Sequence, residues 1–471
     1  MIELSLGEVA AIVGGRLQHA DPATMVTGAV EFDSRAVTAG GLFLALPGER
    51  VDGHDYVPTA IAAGAVAAIV TRPVDAPSIE VTDGFAALAA LAAAVVRRLP
   101  DATVIGVTGS SGKTSTKDLM AQLLRRLGPT VAPPGSFNNE LGHPYTVLRA
   151  TSETRFLVLE KSARGIGHIR YLTEIAPPRI GAVLNVGSAH LGEFGSREAI
   201  AQAKGELVEA LPANGVAVLN ADDQLVAAMA ARTAARVVLV GRAPGADVRA
   251  EDVELDGFGR ARFGLVTATG AAPVALRLVG EHHVGNALAA AAVALECGMT
   301  VDDAAAALSE ATPVSRWRME VTERADGVVI VNDAYNANPE SMRAALGSLA
   351  TIGRGRPGRT WAVLGPMAEL GPDAPAAHEA VGRLAGELAV ARVLAVGEAA
   401  RPIADAAALE GSGVGESSWV PDVEAAVARL RADLCPGDVV LVKASRAASL
   451  ERVALAIAED TNSGPEGDEE R

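Results

Sequence analysis

A glycine-rich stretch from Gly106 to Ser115, GVTGSSGKTS, carries the residue types of a phosphate-binding loop. Gly109 and Gly112 permit positive φ, so successive backbone N–H groups can point at an anion. Lys113 can then reach terminal phosphates, and Thr114 or Ser115 can supply a hydroxyl ligand to Mg²⁺. The strict pattern G-x-x-x-x-G-K-[ST] requires glycine where Val107 stands. The stretch therefore predicts a nucleotide site from a different branch of P-loop proteins, the alternative being a strand-to-helix turn with a surface lysine.

The elements around this loop predict an α/β fold. Thr103 to Val107 is an apolar run typical of a buried strand, and the chain from Lys113 onward has apolar residues at helical spacing. The runs FLVLE, IGAVLNV, GVAVLN and ARVVLV then alternate with helical stretches, which indicates a largely parallel, doubly wound sheet. Short strands with glycine turns between Asp247 and Leu278 predict an antiparallel appendage. From Val328 the alternation restarts and predicts a second α/β domain.

A chain of 471 residues is too long for one ordinary core and suggests about three domains. We place an α/β domain at residues 1–100, a central P-loop domain at 101–313 and a Rossmann-like domain at 314–457. The segment 458–471 is acidic and lacks an apolar run, which predicts a disordered tail. Hinges are expected near Pro100 and Pro313.

Composition excludes several classes of protein. The net charge of −16 argues against a nucleic-acid partner, which would require a basic face. The alanine-rich run from Phe85 to Val96 is too short to span a membrane and fits a core helix. The N-terminus does not have the pattern of a secretory signal, so we expect a cytoplasmic protein. Cys297 and Cys435 lie far apart, which makes a disulfide framework or a zinc site improbable.

Motifs along nearly the whole chain resemble those of the Mur ligases, the ATP-dependent amide-forming enzymes of peptidoglycan precursor synthesis. They follow the family's order and read FDSRAVTAGGLFLALPGERVDGHDYV, TGSSGKTS, GSFNNELGHPYTVL, VLNVGSAHLGEFGS, AKGEL, NADD, GEHHVGNALAAAAVAL, VNDAYNANPESM and LGPMAELG. Within the family, FNNELG and DAYNANP favour the members that add D-alanyl-D-alanine. His283, Pro366 and Ala444 depart from the more usual Asn, Asp and Gly.

The resemblance implies an activity and its cofactors. A carboxylate of UDP-N-acetylmuramoyl-tripeptide would attack the γ-phosphate of ATP, and D-alanyl-D-alanine would displace phosphate from the resulting acyl phosphate. The catalytic residues would be Lys113, Glu160, His190 and Lys204. Two Mg²⁺ ions would be held by Thr114, Glu160, His190 and Lys204, the last carbamylated by CO₂ so that a cation becomes an oxygen ligand.

The resemblance also implies binding residues. The nucleotide would be bound by Gly109, Ser110, Ser111, Gly112, Lys113, Thr114, Ser115, Asn286, Arg318 and Asp333. The N-terminal domain would hold the uridine diphosphate. The two substrates that the reaction joins would be contacted by Ser34, Arg35, His54, Asn138, Asn139, Tyr335, Asn336 and Asn338. We expect a monomer without membrane insertion.

Plainer explanations stay open for many of these residues. Glu160 could be an acid that ends a strand at the surface, His190 a structural loop histidine, and Lys204 a solvated lysine of the helix Arg197 to Glu209. Arg316 is placed as well as Arg318, and Asn139 could belong to an Asx turn. Two other functions are also open: a sibling amide ligase such as folylpolyglutamate synthetase, and a non-catalytic nucleotide-binding partner of a cell-wall enzyme.

Overall fold

Three β-sheets organise the chain in the computed structural model, which describes residues 1–48, 51–187, 191–409 and 416–459. The sheets follow one another along the sequence, and each has helices packed against it. This arrangement confirms the three-domain α/β class. The boundaries proposed between the domains stay a prediction.

The first sheet has five short strands in the order β2-β7-β6-β5-β4. Strands β4 to β7 are parallel, β2 pairs antiparallel with β7, and β1 and β3 form a separate antiparallel pair. The strands are β1 (Leu4–Ser5), β2 (Arg16–Gln18), β3 (Met25–Val26), β4 (Val30–Glu31), β5 (Leu42–Leu44), β6 (Ala67–Val70) and β7 (Ser78–Glu80). The helices are α1 (Leu6–Val13), α2 (Val57–Ala62) and α3 (Gly84–Arg97), with a 3₁₀ turn at Gly53–Tyr56. Helix α3 is the predicted alanine-rich core helix.

The central sheet has nine strands in the order β16-β15-β14-β13-β12-β11-β8-β10-β9. The strands are β8 (Thr103–Thr108), β9 (Thr130–Val131), β10 (Phe156–Glu160), β11 (Ile180–Val183), β12 (Val216–Asn220), β13 (Arg236–Gly241), β14 (Val248–Leu255), β15 (Arg260–Thr267) and β16 (Gly270–Val279). The helices are α4 (Lys113–Leu124), α5 (Gly142–Val147), α6 (His168–Ile175), α7 (Leu191–Phe194), α8 (Arg197–Glu209), α9 (Gln224–Ala227), α10 (His283–Glu296) and α11 (Val301–Glu310), with a 3₁₀ turn at Ala228–Arg232.

Strand direction within this sheet separates a parallel part from an antiparallel part. Strands β8 to β14 run parallel, whereas β15 and β16 are antiparallel to their neighbours and form the predicted appendage. The order reverses at β8, with β9 and β10 on one side and β11 to β13 on the other. Ligands of doubly wound sheets bind outside the carboxyl ends of the strands at such a reversal.

Side-chain alternation along the parallel strands explains the helices on both faces of the sheet. In β12, Val218 belongs to one core with helices α4 and α10, while Ala217 and Leu219 belong to another with α8. Successive residues of a strand point to opposite faces, so an all-apolar strand requires cover on both sides. The continuous apolar runs in the sequence therefore fit the doubly wound arrangement.

The third sheet has six strands in the order β17-β18-β22-β19-β20-β21, parallel except for the β17–β18 pair. The strands are β17 (Glu320–Glu323), β18 (Val329–Asn332), β19 (Thr360–Leu364), β20 (Arg392–Val396), β21 (Glu416–Val420) and β22 (Val439–Lys443). The helices are α12 (Pro339–Arg354), α13 (Ala374–Glu387), α14 (Arg401–Leu409), α15 (Val423–Asp433) and α16 (Glu451–Glu459), with 3₁₀ turns at Gly371–Asp373, Glu398–Ala400 and Arg446–Ala448.

Helix α16 continues to Glu459, two residues into the segment 458–471 that the sequence predicts to be a tail, and its apolar face carries the buried residues Val453, Ala454 and Ile457. The start of the tail stays a prediction. Residues 460–471 lie outside the described part of the chain. In the part that is described, there is no helix both long enough and apolar enough to cross a membrane.

Candidate active site

The loop after β8 has the geometry of a phosphate-binding loop. Gly112 takes φ +79° directly before α4, and a Cβ there would lie 2.5 Å from Asn286 Oδ1, so only glycine fits. The loop is held by its neighbours: Asn185 Oδ1 accepts from Ser111 N at 2.9 Å, and Ser110 Oγ accepts from Gly187 N at 2.9 Å. These two hydrogen bonds hold the loop in this shape, with the amino end of α4 behind it.

Lys113 is the first residue of α4, and its side chain folds back over this loop. Its Nζ donates to the carbonyl oxygen of Gly109 at 2.7 Å. Burial and the nearby charge of Arg318 lower the pKa of Lys113, whereas Glu160 acts in the opposite direction. The single carbonyl contact can be exchanged for a phosphate oxygen, which is the role that the sequence predicts.

Glu160 ends β10 and lies beside the loop. Its Oε2 accepts from Thr114 Oγ1 at 3.0 Å, and its Oε1 accepts from Asn138 Nδ2 at 2.7 Å. The residue is 1% exposed, so it is not an acid on an open surface. A buried carboxylate next to a threonine hydroxyl offers the hard oxygen ligands that Mg²⁺ prefers.

Lys204 lies on α8, whose bounds are those of the predicted helical run, but the residue is buried. Burial, with the charge of Lys113 as a second cause, lowers the pKa of Lys204 well below its ordinary value. No hydrogen bond or ion pair joins its ammonium to another described residue. A solvated helix lysine is therefore the wrong description of this side chain.

His190 lies outside the described residues, so its position beside Lys204 stays a prediction. Within the described ranges, no group of three or more His, Cys, Asp or Glu side chains is arranged to hold a metal ion. The oxygen pair of Thr114 and Glu160 is the part of the predicted metal site that the structure brings together.

The third sheet and its loops contact the phosphate-binding loop directly. Arg318 Nη2 donates to Thr114 Oγ1 at 3.2 Å, and its guanidinium lies 4.2 Å from the centroid of the Tyr335 ring. The Tyr335 hydroxyl is hydrogen-bonded to Ser136 Oγ. The Nε of Arg318 is buried without a hydrogen-bond partner among the described residues. Of the two arginines that the sequence left open, Arg318 lines the cavity described below and Arg316 does not.

Asp333 and Lys443 form a buried ion pair behind these contacts, with 2.5 Å between Asp333 Oδ2 and Lys443 Nζ. The same ammonium donates to the carbonyl oxygen of Asn336 at 2.9 Å. Asn338 caps α12 through Ser341, and its Nδ2 lies 3.4 Å from the carbonyl oxygen of Ser110. The segment from Asp333 to Asn338 is therefore ordered by its own polar contacts while it lies against the phosphate loop.

Two histidines that were given no role from the sequence lie beside Asn286. The rings of His282 and His283 are 4.2 Å apart, and His283 Nδ1 is 3.2 Å from Asn286 Nδ2. Burial lowers the pKa of both histidines. The departure from the family pattern at His283 was the one signal in the sequence that could have pointed to this pair.

Asn138 and Asn139 differ in what they do. Asn138 orients the carboxylate of Glu160, whereas Asn139 Oδ1 accepts from Gly142 N at 2.9 Å and so makes a turn into α5. Both residues nevertheless line the cavity. Asn139 thus contacts the backbone three residues on, and not two as in an Asx turn, and it stays in the site.

One cavity of about 470 Å³ collects most of the predicted residues. Those that line it are Ser110, Ser111, Gly112, Lys113, Thr114, Ser115, Asn138, Asn139, Glu160, Asn286, Arg318, Asp333, Tyr335, Asn336 and Asn338. Sequence reasoning gave no role to several others, among them Ser136, Ser162, Arg164, Asn185, His282, Glu340 and Arg446. The lining is rich in cations and amides, as a site for several phosphates requires.

Ser34, Arg35 and His54 do not line this cavity. Arg35 is paired with Asp33 at 2.7 Å and holds the pKa of that carboxyl at about 2. Both ring nitrogens of His54 are used within the fold, Nδ1 with Asp52 at 2.6 Å and Nε2 accepting from Thr71 N at 2.9 Å. The structure supports a structural role for His54, and contact of these three residues with a uridine diphosphate stays a prediction.

Three domain families match this chain, in the order of its three large sheets. The family described as "Mur ligase family, catalytic domain" matches residues 28–109, "Mur ligase middle domain" matches 107–294, and "Mur ligase, glutamate ligase domain" matches 317–446. The chain belongs to the Mur ligase family. The matched ranges include the phosphate loop, Glu160, Lys204 and Arg318.

Two Mur ligases with curated names match this chain over nearly its full length. The UDP-N-acetylmuramoyl-tripeptide–D-alanyl-D-alanine ligase of Mycobacterium tuberculosis (strain H37Rv) is 54% identical, covering 98% of this chain and 99% of its own. The protein of that name from Escherichia coli K12 is 38% identical with the same coverages, 98% and 99%.

Solved Mur ligase structures share the whole architecture. MurF from Acinetobacter baumannii has a TM-score of 0.86 at 32% identity, covering 97% of this chain and 99% of its own. MurF from Thermotoga maritima, solved in complex with ADP, has a TM-score of 0.79 at 32% identity, with coverages of 93% and 98%. The likeness therefore extends to all three sheets of this Mur ligase.

Proposed function

We propose that this Mur ligase joins D-alanyl-D-alanine to UDP-N-acetylmuramoyl-tripeptide in an ATP-dependent reaction. The observation that carries the proposal is the 54% identity, over 98% of the chain, to a ligase of that name. The site supports it, because the phosphate loop, Lys113, Thr114 and Glu160 lie together beside the loops of the third sheet.

The reaction proceeds in two displacements. A carboxylate oxygen of the acceptor attacks the γ-phosphorus of ATP, forming an acyl phosphate while the bond to the leaving ADP oxygen breaks. The amine of D-alanyl-D-alanine then attacks the acyl carbon, phosphate leaves, and the new amide nitrogen loses a proton to solvent. Both steps concentrate negative charge, so cationic groups fixed around the reacting atoms lower the barrier.

The cations of the site have separate roles in this scheme. Lys113 exchanges the carbonyl of Gly109 for oxygens of the transferring phosphoryl group. Arg318 approaches the same phosphates from the third sheet, held over Tyr335. Asp333 lies at the same seam and contacts the ribose, and Asn286 contacts the base from the amino end of α10.

The oxygen ligands present fit Mg²⁺, and we propose that two ions bind. Thr114 Oγ1 and Glu160 Oε2 are 3.0 Å apart, and Asn138 fixes the second carboxylate oxygen. When bound, magnesium neutralises phosphate charge and orients the phosphoryl oxygens. His190 and Lys204 complete the proposed ligand set.

Lys204 can be a ligand only after modification. A protonated amine has no lone pair, but a neutral amine attacks CO₂, forming an N–C bond and releasing a proton to leave a carbamate with one negative charge. Two observations support this: the side chain is buried, and no described residue supplies a counter-ion. The carbamate would turn a repulsive cation into a pair of oxygen ligands.

The substrates approach the reacting atoms from two sides. The acceptor would run from Ser34, Arg35 and His54 to Asn138 and Asn139, and D-alanyl-D-alanine would lie near Tyr335, Asn336 and Asn338. The acidic net charge of −16 supports small-molecule substrates over a nucleic acid. We propose that the enzyme works as a monomer in the cytoplasm.

Phosphate release from ATP tests the proposed reaction. In the presence of UDP-N-acetylmuramoyl-tripeptide, D-alanyl-D-alanine is expected to stimulate release, whereas diaminopimelate and glutamate are expected to leave it at background. Mass spectrometry of the product should show the acceptor extended by two alanyl residues. A preference for glutamate or diaminopimelate would assign the chain to a sibling reaction instead.

A further inference from the structure

Arg164 differs from the other lysines and arginines that line the cavity. Each of the others contacts a protein group. Lys113 donates to the Gly109 carbonyl, and Arg318 donates to the Thr114 hydroxyl. Lys443 pairs with the Asp333 carboxylate, and Arg446 pairs with the Glu451 carboxylate. The side chain of Arg164 has no hydrogen bond, ion pair or ring contact with any residue in the described ranges. It is thus a cavity cation that is free to bind an anion.

The backbone that carries Arg164 is fixed at several points. Just before it, Ser162 donates through both N and Oγ to the carbonyl oxygen of Asn138, each at 3.1 Å. Just after it, the buried carboxylate of Glu206 accepts from Gly167 N at 2.5 Å and from Arg170 N at 3.0 Å. Glu206 thereby caps α6, whose own N-cap residue is a glycine without a side chain.

A further bond closes this short arch, residues 162–168. Arg164 N donates to His168 Nδ1 at 3.3 Å. With the backbone held, binding of an anion by Arg164 orders little more than its side chain, so little affinity is lost to conformational entropy. An arginine on a mobile surface loop would lose more.

The position of the arch assigns Arg164 to the reacting end of the acceptor. The arch follows Glu160 after one residue, and Asn138 contacts both Glu160 and Ser162. The residues proposed for the uridine diphosphate lie elsewhere, outside the cavity. The anion that Arg164 binds is therefore expected to lie close to the carboxylate that becomes the acyl phosphate.

Two non-reacting carboxylates of an acceptor peptide fit that place. One related protein of known structure, from Acinetobacter baumannii, is named as a UDP-N-acetylmuramoylalanyl-D-glutamyl-2,6-diaminopimelate–D-alanyl-D-alanyl ligase. In such a peptide the glutamyl residue keeps one free carboxylate, and diaminopimelate keeps a second carboxylate beside a second ammonium after the first reacts. The planar guanidinium of arginine binds a carboxylate through two parallel hydrogen bonds.

We propose that Arg164 is a specificity-determining residue that binds a non-reacting carboxylate of the acceptor peptide next to the reacting one. The inference rests on the proposed function, because it takes the acceptor from that reaction. It goes beyond it by naming a residue that binds a carboxylate of the second or third residue of the peptide.

Steady-state kinetics of Arg164→Gln with three acceptors tests the proposal. The acceptors are tripeptides ending in meso-diaminopimelate, ending in L-lysine, and ending in diaminopimelate with the free D-glutamyl carboxylate amidated. If Arg164 binds the diaminopimelate carboxylate, its replacement raises KM by about tenfold or more for both diaminopimelate acceptors and leaves the lysine acceptor unchanged. If it binds the glutamyl carboxylate, KM rises for the first two acceptors and not for the amidated one.

Controls separate this proposal from a structural effect and from failure of the proposed function. Arg170→Gln removes an exposed arginine of α6 that does not line the cavity and should behave as wild type. Arg164→Lys should restore part of the affinity. Unchanged KM for all three acceptors in Arg164→Gln, or a rise in KM for ATP alone, would overturn the proposal. A wild-type enzyme that ligates D-alanyl-D-alanine to none of them would contradict the proposed function instead.

Discussion

At Lys204 an unmodified ammonium would face the charge of Lys113 and the proposed metal ions. Lys204→Ala should therefore fold, bind ATP and lose ligation by at least about tenfold, the lower bound for removal of a group that supports a metal site. A short carboxylic acid such as acetate should restore part of the activity, because it can enter the vacated space and offer the same oxygens. Ligation rates with and without acetate measure both effects.

Lys204→Met is the matched control for that rescue. Its side chain fills the space with apolar atoms, so acetate should not restore its activity. Independently of activity, wild-type protein equilibrated with ¹³C-bicarbonate should give a carbamate carbon signal that Lys204→Ala lacks. A fully active alanine variant, or absence of that signal in the wild type, would refute the carbamate.

Single residues show where sequence reasoning succeeded and where it stopped. Lys113 and Thr114 could be placed from the loop pattern, and Glu160 from its position at a strand end, because parallel strands bring their carboxyl ends to one edge. Helical spacing alone does not predict the burial of Lys204, since a lysine on an amphipathic helix can lie on either side of the boundary between its buried and exposed faces. The two ring contacts of His54 depend on Asp52 and Thr71, and no spacing rule places Thr71 beside the ring.

Helix α4 links the phosphate loop to the segment that leads into the third sheet. Asp118 and Gln122 are spaced four residues apart on one face of this helix, and Arg126 follows in the turn after its end at Leu124. Gln122 exchanges two hydrogen bonds with the backbone of Thr312, at 3.0 and 3.1 Å, and Asp118 accepts from Ser315 N at 3.2 Å. Arg126 pairs with Glu310. The helix that begins at the phosphate-binding loop thus also contacts the segment around the predicted hinge near Pro313.

Gln122→Ala tests this link. The variant should lose about 1 kcal/mol of unfolding free energy or less, because water can replace the two exposed bonds. Its kcat should nevertheless fall several-fold while KM for ATP stays near wild type, since the hinge is held less firmly. Amide hydrogen exchange at Thr312 should become faster, because its N–H loses its acceptor.

A matched control uses another exposed glutamine. Gln224→Ala on α9 removes an amide at a distance from the hinge and should leave kcat and the exchange of Thr312 unchanged. If Gln122→Ala also leaves both unchanged, α4 does not govern the hinge.

Elements that the sequence missed share one physical property. Strands β17 and β21 lie at the two edges of the third sheet and read EVTE and ESSWV. Edge strands are half-exposed, so they lack the apolar runs that the interior strands β18, β19, β20 and β22 carry and that made the second α/β domain predictable. In the third sheet, pattern reasoning therefore found the interior strands and missed the two edge strands.

Across the whole molecule, the third sheet closes onto the phosphate loop through few side chains. Arg318 reaches Thr114, Tyr335 reaches Ser136, and Asn338 reaches Ser110. Each contact joins the central part of the chain to the C-terminal part. Because the nucleotide would lie between the same groups, closure and nucleotide binding should stabilise each other.

Tyr335 offers the sharpest test of that coupling, because its ring and its hydroxyl act separately. Tyr335→Phe loses the contact with Ser136 but keeps the ring under Arg318, so ligation should fall only a few-fold. Tyr335→Ala loses both, and the cation–π contact of about 0.5–2 kcal/mol is removed in addition, so the fall should be clearly larger. Small-angle X-ray scattering with a non-hydrolysable ATP analogue should show compaction in wild type and in Tyr335→Phe, and little in Tyr335→Ala. Equal compaction in all three proteins would mean that closure does not depend on this tyrosine, and the coupling would then have to reside in Arg318 and Asn338.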